Sequence, residues 1–268
     1  MSDVRSGPKP DGNPRSIEVT VIGSGPSAPQ PDSPGSGLLI CAGDDSLLLD
    51  CGPGVTSRLA RVQDPRDLTA VVITHLHADH FLDLVSLRYG LPWTGVEGRR
   101  IAVHLPPGGA ARLVALADVI SESPDFFTRA LDVLEYDPER PLSVGALKVS
   151  FIPSRHYIPA WGVSIGLEGG PRFVHSSDTG PNPALADAAR GADLFVAEAT
   201  LADVSEDVEV RGHLTVEEAI EIAREAAVPR VLLTHLPTDR RAVIRAAVAG
   251  MQPRVQVARP GLRLTLGG

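Results

Sequence analysis

The order of apolar and polar residues predicts an α/β protein. Alternating or continuous apolar runs predict strands at 17–23, 38–42, 46–50, 70–74, 101–104, 131–136, 147–153, 161–167, 172–175, 194–198 and 230–234. Apolar residues spaced three and four apart predict helices at 109–120, 182–190, 215–227 and 239–249, with a further helical pattern from residue 80 to about residue 89. Short terminal strands complete the chain. Because strands and helices alternate through two halves, we expect a four-layered αββα sandwich.

Two segments lie outside this alternation. Residues 1–16 are rich in proline, glycine and charge without periodicity, so we expect a disordered tail followed by a single domain over residues 17–268. The loop at 24–37, rich in glycine, serine and proline, is long for a connection between strands. Loops of this length usually have a function.

Composition narrows the class of protein. Of the 268 residues, 43% are hydrophobic and 22% are charged, which is typical of a globular chain with a sizeable core. No apolar run approaches the ~18 residues of a membrane span, and the first sixteen residues lack the apolar region of a secretory signal. The two cysteines, Cys41 and Cys51, are too few for a disulfide framework. We therefore expect a cytoplasmic protein without a membrane partner.

Charge argues against one class of partner. The chain has 33 acidic and 25 basic residues, for a formal charge of −8. A protein that holds long nucleic acid electrostatically needs a basic surface, so this partner is not expected. A small anionic substrate remains compatible with the composition.

The strongest chemical signal is His75-Leu76-His77-Ala78-Asp79-His80, directly after the predicted strand at 70–74. Alternate residues of an extended turn point the same way, so His75 and His77 can bind one ion, and Asp79 and His80 can bind another on the adjacent side. The alternative is a set of solvated polar residues that cap the next helix. It is disfavoured because a buried strand leads into the cluster, and buried polar groups need partners.

This His-x-His-x-Asp-His pattern resembles that of the metallo-β-lactamase fold hydrolases, and the resemblance extends over nearly all of residues 17–268. It implies three more ligands, each just past a predicted strand: His156, Asp178 and His235. One ion would then be bound by His75, His77, His156 and Asp178, and the other by Asp79, His80, Asp178 and His235. Asp178 would bridge two divalent ions. Zn²⁺ suits these donors, and so do Mn²⁺ and Fe.

Each added ligand has a structural alternative. His156 and His235 could be core histidines with satisfied hydrogen bonds, and Asp178 could be the N-cap of the next helix. Their order along the chain favours metal binding. His104 and His175 lie on predicted strands outside the family pattern, and we interpret them as core residues.

Two close metal ions acidify a bridging water until it is hydroxide at neutral pH, which makes it a nucleophile. The resemblance thus implies a hydrolase, in which Asp79 orients the nucleophile and accepts its proton. Arg211-Gly212-His213-Leu214-Thr215 is similar to the Gly-His-x-Thr segment of the ribonuclease Z branch, whose histidine contacts the scissile phosphate and helps the leaving oxygen depart. His213 is the corresponding candidate, with Glu198 as its orienting partner. Alternatively, His213 simply precedes a helix that Thr215 and Glu218 close with a capping box.

Other features bear on the substrate. The segment 21–26, with Ser36 and Gly37, resembles the glycine loop of that branch, whose backbone N–H groups could hold phosphate oxygens. Arg155, Trp93 and the loop at 24–37 are candidates for setting specificity. Ser177 stands where many relatives have glycine in a Ser-Gly-Asp-Thr turn, so a slightly different backbone is expected there.

One departure from the ribonuclease Z pattern is informative. Transfer-RNA processing enzymes of that branch insert a long arm between the third histidine and the bridging aspartate. Here the interval from His156 to Asp178 is 22 positions and already holds two predicted strands. The chain resembles armless bacterial phosphodiesterases more closely. Dimers are frequent among them, so the resemblance implies a homodimer. The chain is therefore expected to hydrolyse a small phosphodiester or nucleotide.

Three alternatives stay open at this point. The same metal centre could hydrolyse a lactone, a thioester or a β-lactam. It could process RNA in the manner of ribonuclease Z. The fold could also be a metal-bound binding or regulatory module.

Overall fold

A computed structural model describes residues 15–207 and 211–267. Most of the predicted tail, residues 1–14, lies outside the described residues. Two seven-stranded sheets pack face to face, and helices cover the outer face of each. The predicted four-layered αββα sandwich is confirmed.

The first sheet has the order β14-β1-β2-β3-β4-β5-β6. The first three strands form an antiparallel meander, and β3 to β6 are parallel. The final strand, β14, pairs with β1 and returns the end of the chain to its beginning. The strands are β1 (Ile17–Gly23), β2 (Gly37–Ala42), β3 (Asp45–Leu49), β4 (Ala70–Val72), β5 (Ile101–Leu105), β6 (Leu131–Glu135) and β14 (Arg263–Leu266).

The second sheet has the order β13-β12-β11-β10-β9-β8-β7. Strands β7 to β10 are antiparallel, and β10 to β13 are parallel. This register places the carboxyl ends of β8, β10, β11 and β12 at one edge. The strands are β7 (Leu142–Val144), β8 (Leu147–Pro153), β9 (Trp161–Leu167), β10 (Arg172–His175), β11 (Leu194–Glu198), β12 (Arg230–Thr234) and β13 (Arg254–Val257).

In the described part of the chain, six of the seven α-helices form the outer layers, and the single-turn helix α2 carries the ligand motif. Three pack through Val55, Leu87 and Leu113 on the first sheet, and three pack through Leu185, Ile220 and Ile244 on the second. The helices are α1 (Val55–Leu59), α2 (Ala78–Phe81), α3 (Leu84–Gly90), α4 (Gly109–Ser121), α5 (Pro183–Ala189), α6 (Val216–Glu225) and α7 (Thr238–Ala247). Short 3₁₀ helices occur at Pro65–Asp67 and Val204–Glu206.

The strand pattern explains why two sheets stack. Leu47 and Leu49 of β3 face the second sheet, whereas Leu48 between them faces the helices. Alternate residues of a strand point to opposite faces, so a strand that is apolar on both faces must be covered on both. Burying a leucine side chain contributes about 1.5–3 kcal/mol, and the three layers of core are built from such residues.

The helical pattern predicted from residue 80 to residue 89 is broken in the structure. The carbonyl of Asp79 accepts a hydrogen bond from the Ser36 N–H at 2.9 Å, and the Asp83 N–H donates to the Cys51 carbonyl at 2.9 Å. The intrahelical bond between Asp79 and Asp83 is therefore replaced by two tertiary bonds. The helix divides into α2 and α3 because Ser36 of the loop binds the Asp79 carbonyl and Cys51, after β3, binds the Asp83 N–H.

Candidate metal centre

All seven predicted ligands come together at one edge of the two sheets. Their ligand atoms form two groups that share Asp178, and within each group these atoms lie within 4.8 Å of one another. The first group is His75, His77, His156 and Asp178, and the second is Asp79, His80, Asp178 and His235. This is the division that the family resemblance implied. The cluster can hold metal, and the role of each residue as a ligand stays a prediction.

The ends of the strands position these side chains. His75 follows β4 after Ile73 and Thr74, and it is fully buried. The Thr74 carbonyl accepts hydrogen bonds from the Trp161 N–H at 3.3 Å and the Tyr136 hydroxyl at 3.3 Å. Trp161 begins β9 of the second sheet, so its bond to Thr74 joins the two sheets directly beside the cluster.

The short helix α2 turns the motif toward the other ligands. His77 is its N-cap residue, with an extended backbone, and Asp79 and His80 lie within its single turn. On the second sheet, His156, Asp178 and His235 follow β8, β10 and β12 respectively. The carboxyl ends of these strands lie at the same edge, which brings distant parts of the sequence together.

Asp178 lies at the centre of the cluster. Its carboxylate oxygens are 3.4 Å from His80 Nε2, 3.4 Å from His235 Nε2, 3.8 Å from His75 Nε2 and 4.0 Å from His156 Nε2. Burial raises its pKa, but the surrounding histidines outweigh burial and hold the pKa well below its ordinary value. Asp178 caps no helix: the side chain that caps α5 is Asn182, which accepts from the Ala184 N–H at 3.1 Å.

One buried atom tests whether a metal ion fits. His75 Nε2 is buried and has no hydrogen-bond partner. Burial holds the pKa of His75 well below its ordinary value, so the ring is neutral and one of its nitrogens carries a lone pair. Beside it, His77 Nδ1 and His156 Nε2 lie 2.8 Å apart and converge on the same space. A cation in this space would accept all three nitrogens as ligands, so the residues fit a metal ion.

The ring nitrogens that face away from the cluster have partners that fix them. His156 Nδ1 lies 2.8 Å from the Gly212 carbonyl, which accepts its hydrogen. His235 Nδ1 lies 2.7 Å from the Thr200 hydroxyl. Such partners set the tautomer and the orientation of a ligating histidine. In both rings this leaves Nε2 directed into the cluster.

Asp50 fixes the ring of His80 in the same way. The sequence analysis did not identify this residue. Its carboxylate is 2.8 Å from His80 Nδ1 and accepts from the Thr74 N–H at 2.8 Å and the Thr74 hydroxyl at 2.9 Å. Burial lowers the pKa of His80, but the charges of Asp178 and Asp50 outweigh it and raise the pKa well above its ordinary value. The available signal was an aspartate just after the apolar strand β3, the same kind of position that His75 has after β4.

Glu198 connects two histidines at the edge of the cluster. One of its oxygens accepts from His213 Nδ1 at 2.9 Å and from the Thr179 N–H at 3.0 Å. The other accepts from the Thr200 hydroxyl at 2.8 Å, and that hydroxyl contacts His235. Burial lowers the pKa of His213, but the hydrogen bond to Glu198 and its charge outweigh burial and raise the pKa to about 9. The expected pairing of Glu198 with His213 is confirmed as a contact.

His213 lies beside the predicted ligands. Its ring stacks on that of His235, with centroids 5.8 Å apart, and lies 5.1 Å from the ring of His156. The capping box predicted at the start of α6 is also present, with Thr215 and Glu218 exchanging hydrogen bonds. The two interpretations of this segment are therefore compatible, because different residues carry them.

The loop at 24–37 packs against α2. A Cβ atom at Gly35 of the loop would lie 2.7 Å from the Asp79 carbonyl, and one at Gly52, which follows β3, would overlap the same carbonyl, so only glycine fits at both positions. Arg241 of α7 holds this loop in place by donating hydrogen bonds to the Ser24 carbonyl at 3.0 Å and the Ser33 hydroxyl at 3.1 Å. The loop thereby fixes the backbone that carries Asp79.

The expected use of this loop as a phosphate cradle does not match its hydrogen bonds. The Gly25 N–H donates to the Pro34 carbonyl, and the Ser36 N–H donates to the Asp79 carbonyl, both at 2.9 Å. The Ser24 N–H lies 3.4 Å from the Ser33 hydroxyl. These donors are already engaged, so the loop acts here as a support.

The remaining candidates lie outside the cluster. Trp93 packs against the guanidinium groups of Arg88 and Arg129, at 4.4 Å and 4.6 Å. Arg155 donates to the Pro181 carbonyl at 3.2 Å. His175, on β10, is buried and accepts a hydrogen bond from the Ser177 N–H at 2.9 Å, as expected for a core histidine. Burial lowers the pKa of His175 to about 4.

The sequence signature of the beta-lactamase superfamily domain matches residues 46–236, which include all seven predicted ligands. The chain belongs to this superfamily. An uncharacterised protein of Mycobacterium leprae is 35% identical over 240 residues, covering 87% of this chain and 83% of that protein. Ribonuclease Z of Myxococcus xanthus is 30% identical over 309 residues, covering 93% of this chain and 98% of that enzyme.

A solved structure shows the same fold. The metallo-β-lactamase fold protein YhfI of Bacillus subtilis matches with a TM-score of 0.80 and 26% identity, over 94% of this chain and 99% of that one. In sequence comparisons the same relative is described as a probable metallo-hydrolase. The chain is thus a metallo-hydrolase of the beta-lactamase superfamily. Within the part of the chain that the structure describes, no helix is both long and apolar enough to cross a membrane.

Proposed function

We propose that this metallo-hydrolase is a binuclear phosphodiesterase that hydrolyses a small phosphodiester or nucleotide. The observation that carries the proposal is the pair of His213 and Glu198 beside the two ligand groups, with His213 Nδ1 and Glu198 Oε1 2.9 Å apart. Alkoxide leaving groups of phosphodiesters need a proton. A histidine that a buried carboxylate holds in place is suited to supply it.

The seven side chains would hold two divalent ions, for which we propose Zn²⁺, with Mn²⁺ or Fe as the other metals that these donors suit. When bound, such a pair of ions lowers the pKa of a coordinated water and neutralises charge that develops on the phosphate. His75, His77 and His156 would bind the first ion, and Asp79, His80 and His235 the second. Asp178 would bind both.

Asp79 orients the attacking water in this proposal and accepts its proton. One of its oxygens lies 3.0 Å from His235 Nε2 and 3.6 Å from His80 Nε2, which fixes the carboxylate within the second group. Burial raises its pKa, but the hydrogen bond from His235 and the nearby His80 outweigh burial and lower the pKa. The group is therefore ionised and able to accept a hydrogen bond from water.

His213 donates a proton to the leaving oxygen. Because Nδ1 is bound to Glu198, the nitrogen on the other side of the ring, Nε2, is left for the substrate. Although burial lowers the pKa of His213, the hydrogen bond to Glu198 and its charge raise the pKa to about 9, which favours the protonated ring. Removing the proton donor should slow departure of an alkoxide more than departure of an acidic phenol.

The relatives support a phosphodiester substrate, and the topology and charge support a small one. Ribonuclease Z of Myxococcus xanthus, a relative at 30% identity, is named as an enzyme that cuts RNA. In this chain, β9 and β10 occupy the interval between His156 and Asp178 and leave no segment for a transfer-RNA arm. The net charge of −8 also disfavours a long nucleic acid.

A substrate panel tests the proposal. The protein is loaded with Zn²⁺ or Mn²⁺ and assayed on bis-p-nitrophenyl phosphate, cyclic AMP, a homoserine lactone and nitrocefin, with a chelated sample as control. We expect turnover of the two phosphodiesters only. Turnover of the carbonyl substrates alone would refute the phosphodiesterase proposal, and turnover of none would favour a binding or regulatory module.

A further inference from the structure

Tyr157 is an exposed aromatic residue at the edge of the metal centre. It directly follows His156, and 51% of its surface is exposed. Its ring centroid is 4.9 Å from that of His156 and 5.7 Å from that of His213. An aromatic ring therefore lies beside both a predicted ligand and the proposed proton donor.

The orientation of this ring is fixed. The Tyr157 hydroxyl donates to Asp207 Oδ2, and the same oxygen accepts from the Gly212 N–H at 2.8 Å. Holding the hydroxyl at one end prevents the ring from swinging away. A ring that is already in position loses little conformational entropy when a ligand packs on it.

One face of the ring is covered and the other is open. A Cβ atom at Gly212 would lie 2.6, 2.7 and 2.9 Å from three adjacent ring carbons of Tyr157. Nearly equal distances to three ring atoms mean that the Gly212 backbone packs on a ring face and not at an edge. Because half of the side chain is exposed, the opposite face is available to a planar group.

We propose that Tyr157 is a stacking platform for the nucleobase of the substrate, held in position by Asp207. This inference rests on the proposed function and narrows it to nucleotide phosphodiesters, in preference to phosphodiesters of plain sugars or of glycerol. Flat aromatic bases stack on aromatic side chains whatever their hydrogen-bonding pattern. The platform would therefore select for a base without selecting strongly among bases.

Binding of two matched ligands tests the platform without relying on turnover. AMP and ribose 5-phosphate share the sugar and the phosphate and differ in the base. Isothermal titration calorimetry on the Zn²⁺-loaded full-length protein should show AMP binding at least about tenfold more tightly than ribose 5-phosphate. In Tyr157→Ala this preference should fall to less than about twofold, with the affinity for ribose 5-phosphate unchanged.

A conservative variant separates stacking from structural damage. Tyr157→Phe keeps the ring and loses the bond to Asp207, so it should retain most of the preference for AMP. Zinc content and melting temperature should match the wild type in both variants. Equal affinity for AMP and ribose 5-phosphate in the wild type would overturn the platform, and so would a loss in Tyr157→Ala that is equal for both ligands.

The two proposals can fail separately. If the protein hydrolyses phosphodiesters but binds AMP no better than ribose 5-phosphate, only the platform is wrong. If AMP binds preferentially through Tyr157 but no phosphodiester is hydrolysed, the proposed reaction is wrong and the base site stands.

Discussion

The two ligand groups differ in exposure and in what holds them. All four residues of the group with Asp79, His80 and His235 are buried, whereas His77 in the other group is partly exposed. In the buried group, His80 is held by the carboxylate of Asp50, and His235 is held by Thr200, which is itself bound to Glu198. The other group relies on neutral partners, such as the Gly212 carbonyl on His156.

This difference suggests separate tasks for the two halves of the centre. Charged partners that are themselves buried hold ligands rigidly and strengthen their donation to a metal. The group with His77 is the open side, which His213 and Tyr157 also border. We therefore expect the buried group to set metal affinity and the open group to meet the substrate.

Replacing Asp178 should impair both ligand groups, because this carboxylate belongs to both. Asp178→Ala should lower phosphodiester turnover by several orders of magnitude, since metal ions supply several kcal/mol of transition-state stabilisation. Metal content should fall as well. Elemental analysis and steady-state kinetics measure the two effects. Asp187→Ala, which removes an exposed carboxylate of α5, is the control, and normal turnover in Asp178→Ala would contradict the shared role.

Replacing His213 should slow the reaction and leave the metal content of both ligand groups unchanged. His213→Ala should lower kcat by roughly 10²- to 10⁴-fold on an alkoxide leaving group, as expected for loss of general acid catalysis, and much less on p-nitrophenolate. Metal content should be unchanged. His104→Ala removes another partly buried histidine, which belongs to neither ligand group, and serves as the control. Metal loss in His213→Ala equal to that in Asp178→Ala would make His213 a ligand.

Replacing Asp50 should affect the buried side. Asp50→Asn keeps the shape but puts a donor where His80 and Thr74 both donate. Mutations of such partners typically reduce metal affinity or activity by roughly 10- to 100-fold. Competition with a chromogenic chelator measures the affinity, with the exposed Asp67→Asn as control. An affinity equal to that of the wild type would mean that Asp50 does not support the centre.

The smallest expected effect is a change in stability at Ser177, in the turn that precedes Asp178. Ser177 has a φ of 55°, in the left-handed region, which a side chain disfavours by roughly 1–2 kcal/mol. Ser177→Gly removes that strain and loses some stability to the greater freedom of the unfolded chain, so we expect a net gain of about 0.5 kcal/mol. Ser150→Gly, in the extended strand β8, should instead be destabilising. Urea denaturation measures both, and a loss in Ser177→Gly would show that the serine side chain stabilises the turn.

The ligands that are contiguous in the sequence could be predicted from their pattern alone, whereas the scattered ones could not. His75 to His80 are contiguous, so their pattern alone indicated metal chemistry. His156, Asp178 and His235 are single residues past separate strands, and only the family resemblance singled them out. Parallel strand order then explains why they meet.

The supporting residues and the helix break could not be predicted from the sequence, because both depend on tertiary contacts. Asp50 and Thr200 support the ligands from other strand ends, and an isolated aspartate or threonine there has the same local pattern as an ordinary turn residue. The break between α2 and α3 arises because Ser36 binds the Asp79 carbonyl, a contact across 43 positions of chain that no local periodicity encodes. Strand β7 was also missed, because three residues are too short for a periodic signal.

Metal stoichiometry tests the central claim most directly. Inductively coupled plasma mass spectrometry on protein purified without chelators, and then supplied with Zn²⁺ and desalted, should find two ions per chain in the wild type and substantially fewer in Asp178→Ala. A wild-type protein that retains one ion or none, or an Asp178→Ala variant that retains two, would contradict a centre in which one carboxylate joins two metal sites.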